Sequence, residues 1–312
     1  MGGWKGSFTR LRYRRPELAA AARCRSAPVP FVPWAPMKAG YDEIADGYAR
    51  HWGPVIQPAA ERVIELIAPA AEAVIETGAS PWFVDVGAGS GAVAIAALER
   101  WPMSRVTGID PSAAMLALAR DSAAERLAPE VAGRLETEVA WADELPFDDG
   151  SVDLALSAFV LQLVASRAAA LREIRRVLRP GGTLAWVAWL EGGEAFEPDR
   201  VANGVLDEAG FDPPDENARS GDIASVRAAA HGMRRAGFRD VRAHAGELVH
   251  RWDPAAYLAF LTGFDEKTLF SELGRRERRD IERRIRDRLA RLTREQLTLR
   301  LPVVYVLGRA PG

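Results

Sequence analysis

The sequence predicts an α/β protein built on a doubly wound, mostly parallel β-sheet, and three observations support this class. Short apolar segments alternate with longer amphipathic segments from residue 82 to residue 190, and strands that alternate with crossover helices pair in parallel. A glycine-rich turn follows the first apolar segment, which is where open sheets of this kind bind ligands. Beyond residue 190 two long strand-like segments flank a helical one, so we expect the last strand to be antiparallel.

The individual elements follow from hydrophobic periodicity and from turn residues. Residues 37–70 predict helices that act as an N-terminal lid, with Tyr48 and Trp52 on one side of the first helix. The seven predicted strands cover residues 82–86, 105–110, 134–141, 152–157, 183–190, 239–252 and 296–308. The helices between them cover residues 91–100, 112–125, 168–178, 200–209 and 223–236. Residues 254–292 predict a helical insertion that caps the strand ends, within a single domain over residues 37–312.

The composition excludes several classes of function. The formal net charge of -2 argues against a protein that coats nucleic acid, and no apolar run approaches the roughly 20 residues of a membrane span. The single cysteine, Cys24, excludes internal disulfides and multi-cysteine zinc sites. The four histidines lack metal-ligand spacing, so we expect no metal. These features favour a cytoplasmic protein, a monomer or homodimer, without nucleic-acid or membrane partners.

Residues 1–36 differ from the rest of the chain because they are basic and rich in proline. Neither helix nor strand periodicity persists there, which predicts a disordered extension. A targeting or twin-arginine signal is one interpretation, but its apolar stretch, Leu18 to Ala22, is too short and ends at Arg23. The simpler interpretation is a dispensable tail, or translation that begins at Met37.

The glycine loop from Asp85 to Gly91 reads DVGAGSG and carries the most chemical information. Glycines allow a sharp turn and a close approach of the backbone to a ligand. The spacing Gly87-x-Gly89-x-x-Ala92 also satisfies the dinucleotide-binding pattern. Asp110 ends the second strand, where a carboxylate can accept hydrogen bonds from the ribose hydroxyls of either NAD or S-adenosylmethionine. A tight turn that only packs a helix on a strand is the third interpretation.

Four further segments accompany this loop in a fixed order. They are the opening Tyr41 to Tyr48, then IDPS at Ile109 to Ser112, LPFxxGSxD at Leu145 to Asp153, and LRPGG at Leu178 to Gly182. Together with the glycine loop they resemble the class I S-adenosylmethionine-dependent methyltransferases, in particular the type 11 branch with the ubiquinone/menaquinone C-methyltransferases. The resemblance covers roughly residues 41–190 and implies a Rossmann-like fold with S-adenosyl-L-methionine as cofactor. The LPF and LRPGG segments are not expected in nicotinamide enzymes, so they favour the methyltransferase interpretation of the glycine loop.

The resemblance implies a role for each residue of the cofactor site. The methionine part of the cofactor would lie on the backbone of the loop, with a carboxylate on its ammonium group and another on the ribose. Met115 would pack on the adenine, although it can equally be helix core. The residues implied in these contacts are Asp85, Gly87, Ala88, Gly89, Asp110, Pro111 and Met115.

The chain departs from the family pattern at the edge of the adenine. Relatives place an acid where this chain has Trp141, so either Ala142 with Asp143 makes the contact or Trp141 stacks on the ring. Ser157 ends the fourth strand, where the cofactor and the methyl acceptor should meet. Tyr48 would cover the methyl end as a lid or, alternatively, pack as a staple between helix and sheet.

The acceptor and any catalytic base are less defined. Relatives often carry histidine where this chain has Gln162, so we considered His231, His244 and His250 as weak candidates for a base. A base is needed only where the nucleophile loses a proton as it attacks. The aromatic residues of the insertion form either an acceptor pocket or the core of the cap, and they are Trp252, Phe260, Phe264 and Phe270. We expect transfer of a methyl group to oxygen, nitrogen or carbon of a small molecule, with a non-catalytic cofactor-binding protein and an NAD(P)-dependent oxidoreductase as alternatives.

Overall fold

A computed structural model describes residues 45–211 and 222–312. Seven strands are present in this part of the chain: β1 Trp82–Val86, β2 Arg105–Asp110, β3 Leu135–Val139, β4 Val152–Ala158, β5 Leu178–Trp189, β6 Arg239–Arg251 and β7 Thr298–Arg309. The helices are α1 Gly53–Glu76, α2 Ala92–Arg100, α3 Ala113–Arg126, α4 Pro129–Ala132, α5 Arg167–Val177, α6 Glu197–Glu208, α7 Val226–Arg235, α8 Pro254–Phe260, α9 Lys267–Glu272 and α10 Arg275–Leu289. Two π-helical turns, Tyr48–Trp52 and Leu261–Asp265, precede α1 and follow α8.

The strands form one sheet in the order β3-β2-β1-β4-β5-β7-β6. The pairs β1–β2, β2–β3, β1–β4 and β4–β5 are parallel, whereas β7 pairs antiparallel with β5. The strand order changes direction between β1 and β4: the chain continues from β1 to β2 and β3 on one side, and from β4 to β5 on the other. In open α/β sheets the carboxyl ends of strands at such a point hold the ligand. The predicted doubly wound, mostly parallel sheet of seven strands is confirmed.

The chain divides into two compact units, which we call the sheet unit and the helical unit. The described part of the sheet unit comprises residues 45–191, 222–248 and 302–312, and that of the helical unit comprises residues 192–211 and 249–301. The central strands β1 and β4 and residues 182–188 of β5 are almost wholly buried, as expected of parallel strands covered on both faces. Their rigidity gives the strand ends fixed positions.

The helical unit has its own aromatic and aliphatic core. Trp252 lies 5.0 Å from Phe260 between ring centroids, and Phe260 lies 5.7 Å from Phe264. The side chains of Ile281 and Leu289 on α10 are buried as well. The aromatic residues of the insertion therefore pack on one another, which favours the interpretation of Trp252, Phe260, Phe264 and Phe270 as core of the cap.

Local differences from the predicted elements have identifiable causes. We predicted that LRPGG ends a helix before a strand from Thr183, but β5 already begins at Leu178, which pairs with Val152. Gly182 permits this early start, because a Cβ there would lie 2.8 Å from the Asp153 carbonyl oxygen. The predictions for residues 1–36 and for the start of the lid at Tyr41 lie outside the described residues. The single domain over residues 37–312 and the position of the cap over the strand ends stay predictions.

Candidate cofactor site

The glycine loop is held at the carboxyl end of β1 by the neighbouring strand. The backbone N–H groups of Gly87 and Ala88 both donate to the Ile109 carbonyl oxygen, at 2.7 and 2.9 Å. Gly87, Gly89 and Gly91 all have positive φ, at 76°, 51° and 86°, a region that side chains with a Cβ rarely adopt. The alternate glycines thus produce a loop that turns back over β2 before α2 begins.

Asp110, at the end of β2, ties this loop to the start of α3. Its Oδ2 accepts a hydrogen bond from the Gly89 N–H at 3.0 Å, and its Oδ1 accepts one from the Ser112 N–H at 2.9 Å. Ser112 in turn caps α3 by accepting from the Met115 N–H at 3.1 Å. Each carboxylate oxygen has a second lone pair, so the carboxylate can hold the loop and also accept hydrogen bonds from vicinal hydroxyls.

Asp85 is a buried carboxyl group with one oxygen unpaired. It is 1% exposed, its Oδ2 accepts from the Ala94 N–H in the first turn of α2 at 3.1 Å, and no described group donates to its Oδ1. Burial raises the pKa of Asp85 to about 7; the Ala94 hydrogen bond lowers it in part, and the negative charge of Asp110 adds a smaller rise. A buried acidic oxygen without a partner is costly, and a cationic ligand would satisfy it.

The two glycines at the centre of the loop face different surroundings. A Cβ on Gly87 would lie 2.2 Å from Val160 Cγ2, so the turn after β4 packs directly on this position. A Cβ on Gly89 would meet no described atom within 4 Å. Gly87 is therefore needed for protein packing, whereas Gly89 borders open space that a ligand can enter. The sequence does not single out Val160, because no local signal shows that a valine beyond β4 contacts the loop.

The turn after β4 adds a strained residue and an aromatic wall. Phe159 has φ of 59°, and residues forced into this region cluster at functional sites. Its N–H donates to the Val187 carbonyl oxygen at 2.8 Å. The ring centroid of Phe159 lies 4.1 Å from that of Trp189, and Trp189 lies 6.3 Å from Trp52. Three aromatic rings thus line the carboxyl ends of β4 and β5.

Two of the predicted site residues contact strand ends in this region. The Ser157 hydroxyl donates to the Val86 carbonyl oxygen at 2.8 Å, so it joins β4 to the end of β1. Tyr48 opens the first π-helical turn, and burial together with the negative charge of Asp110 raises the pKa of its phenol. Tyr48 therefore lies within electrostatic range of Asp110 and stays protonated. This position agrees with a lid near the cofactor, but the lid itself stays a prediction.

The proposed adenine side is a compact turn. Trp141 and Glu144 form an isolated antiparallel bridge, with Ala142 partly buried and Asp143 exposed between them. Met115 is 2% exposed. The contact of Trp141 or Asp143 with adenine, and the packing of Met115 on the ring, stay predictions.

The LPF segment that follows this turn is fixed by one arginine. Arg176 donates from Nη1 to the Phe147 carbonyl oxygen at 2.8 Å and from Nη2 to the Leu145 carbonyl oxygen at 3.1 Å. Glu173 pairs with the same guanidinium at 2.7 Å and accepts from the Leu145 N–H at 2.9 Å. The segment is thereby anchored to α5, which positions the turn before it.

Two of the three histidine candidates lie in the sheet unit, on α7 and β6, and the third belongs to the helical unit. His231 is exposed on α7. His244 stacks on Tyr305 at 5.4 Å and lines a groove of about 1220 Å³ whose described lining includes no residue of the glycine loop. His250 belongs to the helical unit, where burial lowers its pKa. The structure therefore brings neither His231 nor His244 to the candidate site, because α7 and β6 present them elsewhere on the sheet unit.

Residues 45–211 and 222–312 offer neither a metal site nor a membrane span. No group of three or more His, Cys, Asp or Glu side chains there could hold a metal ion. None of the helices in these two ranges is long and apolar enough to cross a membrane.

These features define a class of protein: an α/β fold that offers a buried carboxyl group and a glycine loop to a ligand at the carboxyl ends of its parallel strands. The comparisons give the family that the chain resembles. Residues 84–186 match the family described as methyltransferase domain, so this segment of the chain is similar to methyltransferases.

Two curated relatives show how far the likeness extends. The chain is 40% identical over 100 residues to the ubiquinone/menaquinone biosynthesis C-methyltransferase of Geotalea daltonii, a match that covers 32% of this chain and 41% of the relative. It is 32% identical over 177 residues to the malonyl-[acyl-carrier protein] O-methyltransferase of Geobacter sulfurreducens, covering 56% of this chain and 62% of the relative. The chain thus spans less than two thirds of the length of either relative.

One solved structure supports the fold. The phosphoethanolamine N-methyltransferase 2 of Haemonchus contortus, solved with phosphomonomethylethanolamine and S-adenosylhomocysteine, superposes with a TM-score of 0.51 at 14% identity, covering 88% of this chain and 59% of that one. At this identity the likeness concerns the fold alone.

The residues present fit the cofactor of the family. S-adenosylmethionine carries an ammonium group and two ribose hydroxyls. Asp85 offers a buried, unpaired carboxyl oxygen, Asp110 offers a carboxylate at the end of the adjacent strand, and the space beside Gly89 is open. These carboxyl oxygens are hydrogen-bond acceptors, so they are complementary to the ammonium and hydroxyl donors of the ligand.

Proposed function

We propose that this chain is an S-adenosylmethionine-dependent methyltransferase that methylates an oxygen, nitrogen or carbon atom of a small molecule. The observation that carries the proposal is the buried Oδ1 of Asp85, which has no described donor and lies on the penultimate residue of β1, just before the glycine turn. The two relatives are named for carbon and oxygen methylation, so they support the reaction class and leave the accepting atom open.

The side chains of this site would mainly orient and enclose the reactants. The bound cofactor supplies a methyl group already activated on a sulfonium. Asp85 would hold the ammonium end and Asp110 the ribose, which together align the reacting atoms. Alignment of this kind is worth roughly 7–11 kcal/mol of activation free energy. The rings of Phe159 and Trp189 would exclude water from the methyl end, and Tyr48, protonated because its pKa is raised, can donate a hydrogen bond there.

The first experiment is a calorimetric titration with S-adenosylhomocysteine. We expect saturable binding by the wild type and a loss of about tenfold or more for Asp110→Ala, since a charge-assisted hydrogen bond is worth about 1.5–3 kcal/mol. Glu138→Ala is the matched control, because Glu138 is an exposed acid on the adjacent strand β3. This variant should bind S-adenosylhomocysteine as the wild type does. Thermal melts of each variant separate loss of the ligand contact from loss of folding.

Two outcomes distinguish the proposal from its alternatives. No binding of S-adenosylhomocysteine by folded wild type, with binding of reduced nicotinamide dinucleotide, would refute the proposal in favour of an oxidoreductase. Binding without turnover of any acceptor in a broad screen would indicate a non-catalytic cofactor-binding protein. We also propose a cytoplasmic location, which fractionation of the native host cell tests directly.

A further inference from the structure

Gln162 has a buried amide oxygen that no described group satisfies. The residue is 6% exposed, and its Nε2 donates to the Phe159 carbonyl oxygen at 3.0 Å. Its Oε1 has no hydrogen-bond donor among the described residues. Buried polar atoms are nearly always paired in folded proteins, so this acceptor calls for a partner that the described chain does not provide.

The orientation of this amide is fixed. Rotation by 180° about the last side-chain bond would place Oε1 where Nε2 is, about 3.0 Å from the Phe159 carbonyl oxygen, and two acceptors at that distance repel each other. Phe159 cannot readily move away, because its own N–H is bonded to Val187 at 2.8 Å. The free end of the Gln162 side chain is therefore an acceptor and not a donor.

The same short turn forms the wall of the cofactor site. Val160 packs against Gly87, and the Phe159 ring packs against Trp189, with centroids 4.1 Å apart. Gln162 follows two residues after Val160. The turn thus combines a packed aromatic ring with one unsatisfied acceptor, next to the residue that contacts the glycine loop.

We infer that Gln162 Oε1 accepts a hydrogen bond from the attacking N–H or O–H group of the methyl acceptor, whose flat apolar part lies against Phe159 and Trp189. The inference rests on the proposed function and narrows its substrate class to amines and hydroxyl compounds. A carboxylate nucleophile has no proton to donate and would oppose its lone pairs to those of Oε1. A carbon nucleophile offers no polar hydrogen.

The chemistry balances without a protein base. A lone pair on the acceptor nitrogen or oxygen forms the new bond to the methyl carbon, and the carbon–sulfur bond breaks with its electron pair on sulfur. The nitrogen or oxygen becomes transiently cationic, and its proton passes to solvent water. A neutral amide cannot take up this proton at ordinary pH, so Gln162 acts as a substrate-positioning residue that aims the nucleophile's lone pair.

A panel of three matched acceptors tests the inference on the full chain. The probes are 2-naphthylmethylamine, 2-naphthol and 2-naphthoate, which share one flat skeleton and differ in the nucleophile. Mass spectrometry and NMR identify the methylated atom. We expect N- or O-methylation of the amine or the naphthol and none of the naphthoate. Methylation of the naphthoate, methylation on ring carbon, or no turnover of any probe while S-adenosylhomocysteine still binds overturns the inference. Failure of S-adenosylhomocysteine to bind would instead refute the proposed function.

A variant separates positioning from structural support. Gln162→Met keeps the volume and removes the acceptor, and Gln57→Met is its control, since Gln57 is only partly buried and bonds to Glu61 at 2.8 Å. We expect Gln162→Met to raise the KM of the methylated probe about 5- to 150-fold with the Kd of S-adenosylhomocysteine within about twofold. An unchanged KM overturns the assignment. A rise in KM that is accompanied by a similar loss of cofactor affinity and by a lower melting temperature overturns it as well. Should this variant not fold, the acceptor panel alone decides.

Discussion

The raised pKa of Asp85 makes cofactor binding depend on pH near neutrality. Burial places this pKa at about 7 in the ligand-free protein, so the carboxyl group is about half protonated at pH 7. An ammonium group at its unpaired oxygen favours the ionised form. Only the ionised fraction is then competent to bind, and the apparent dissociation constant increases by the inverse of that fraction.

The size of this pH effect on binding follows from the pKa of Asp85 alone. Between pH 8 and pH 6 the ionised fraction of a group with a pKa of about 7 falls about tenfold, so the Kd of S-adenosylhomocysteine should rise about tenfold over this range. At pH 7 binding should release about half a proton. Calorimetry measures both quantities, the second by repeating the titration in buffers that differ in ionisation enthalpy.

Two controls identify Asp85 as the source. 5′-Methylthioadenosine shares the ribose and adenine but lacks the amino-acid end, so its affinity should not change with pH. Asp85→Asn cannot ionise, and its affinity for S-adenosylhomocysteine should be low and flat from pH 6 to pH 8. A wild-type affinity that is constant over this range, without proton release, would refute the reasoning, as would an equal pH dependence for methylthioadenosine.

The remaining predictions concern stability and the loop. Gly87→Ala should lower the free energy of unfolding by about 2–4 kcal/mol in denaturant titrations, since its Cβ would lie 2.2 Å from Val160 Cγ2 and its φ is 76°. Adding Val160→Ala should restore the part of the loss that comes from this contact and leave about 1–2 kcal/mol for the positive φ. Strictly additive losses would contradict the contact. Gly89→Ala should cost only about 1–2 kcal/mol for its positive φ, yet weaken S-adenosylhomocysteine binding by about tenfold or more, because its Cβ enters open space; normal affinity would mean that the cofactor does not approach this glycine. Asp85→Asn should stabilise the ligand-free protein at pH 8 by on the order of 4 kcal/mol, because the folded pKa of about 7 exceeds the ordinary 3.8 and the wild type loses stability as pH rises between these values. Thermal melts at pH 8 and pH 4 should show that the gain disappears in acid. An equal gain at both pH values would exclude this cause. Arg176→Met should lower the free energy of unfolding by about 1–3 kcal/mol, since two carbonyl oxygens and Glu173 lose their donor; an unchanged denaturation midpoint would contradict this role.

Much of the fold was predictable because its signals are local. The strand from Trp82 to Val86 and the strand from Arg105 to Asp110 occupy the predicted residues, since each is a short apolar run with a clear turn after it. LRPGG was misread as a boundary between helix and strand. Its proline and glycines normally end an element, but here Leu178 already pairs with Val152 across the sheet, and local sequence carries no information on that pairing.

The candidate site was predictable only in part. Asp85 and Asp110 stand out because they follow strands and flank the glycine loop. The packing of Val160 on Gly87, the positive φ of Phe159 and the unpaired oxygen of Gln162 depend on contacts between strand ends that are distant in sequence. His231 and His244 could be chosen from sequence only because they are ionisable, while the direction of each side chain depends on α7 and β6, which bear them.

The position of β7 has a consequence for how the sheet is assembled during synthesis. β7 lies between β5 and β6 in the sheet, although it follows both in the chain. β6 therefore leaves the ribosome well before β7, its neighbour in the described sheet, has been synthesised, and the hydrogen-bonding groups along that edge are not yet paired with it. Bare strand edges invite association with other chains. The charged and exposed side chains along β6, such as Asp240, Arg242 and Glu247, would keep a nascent chain from aggregating until residues 298–309 arrive.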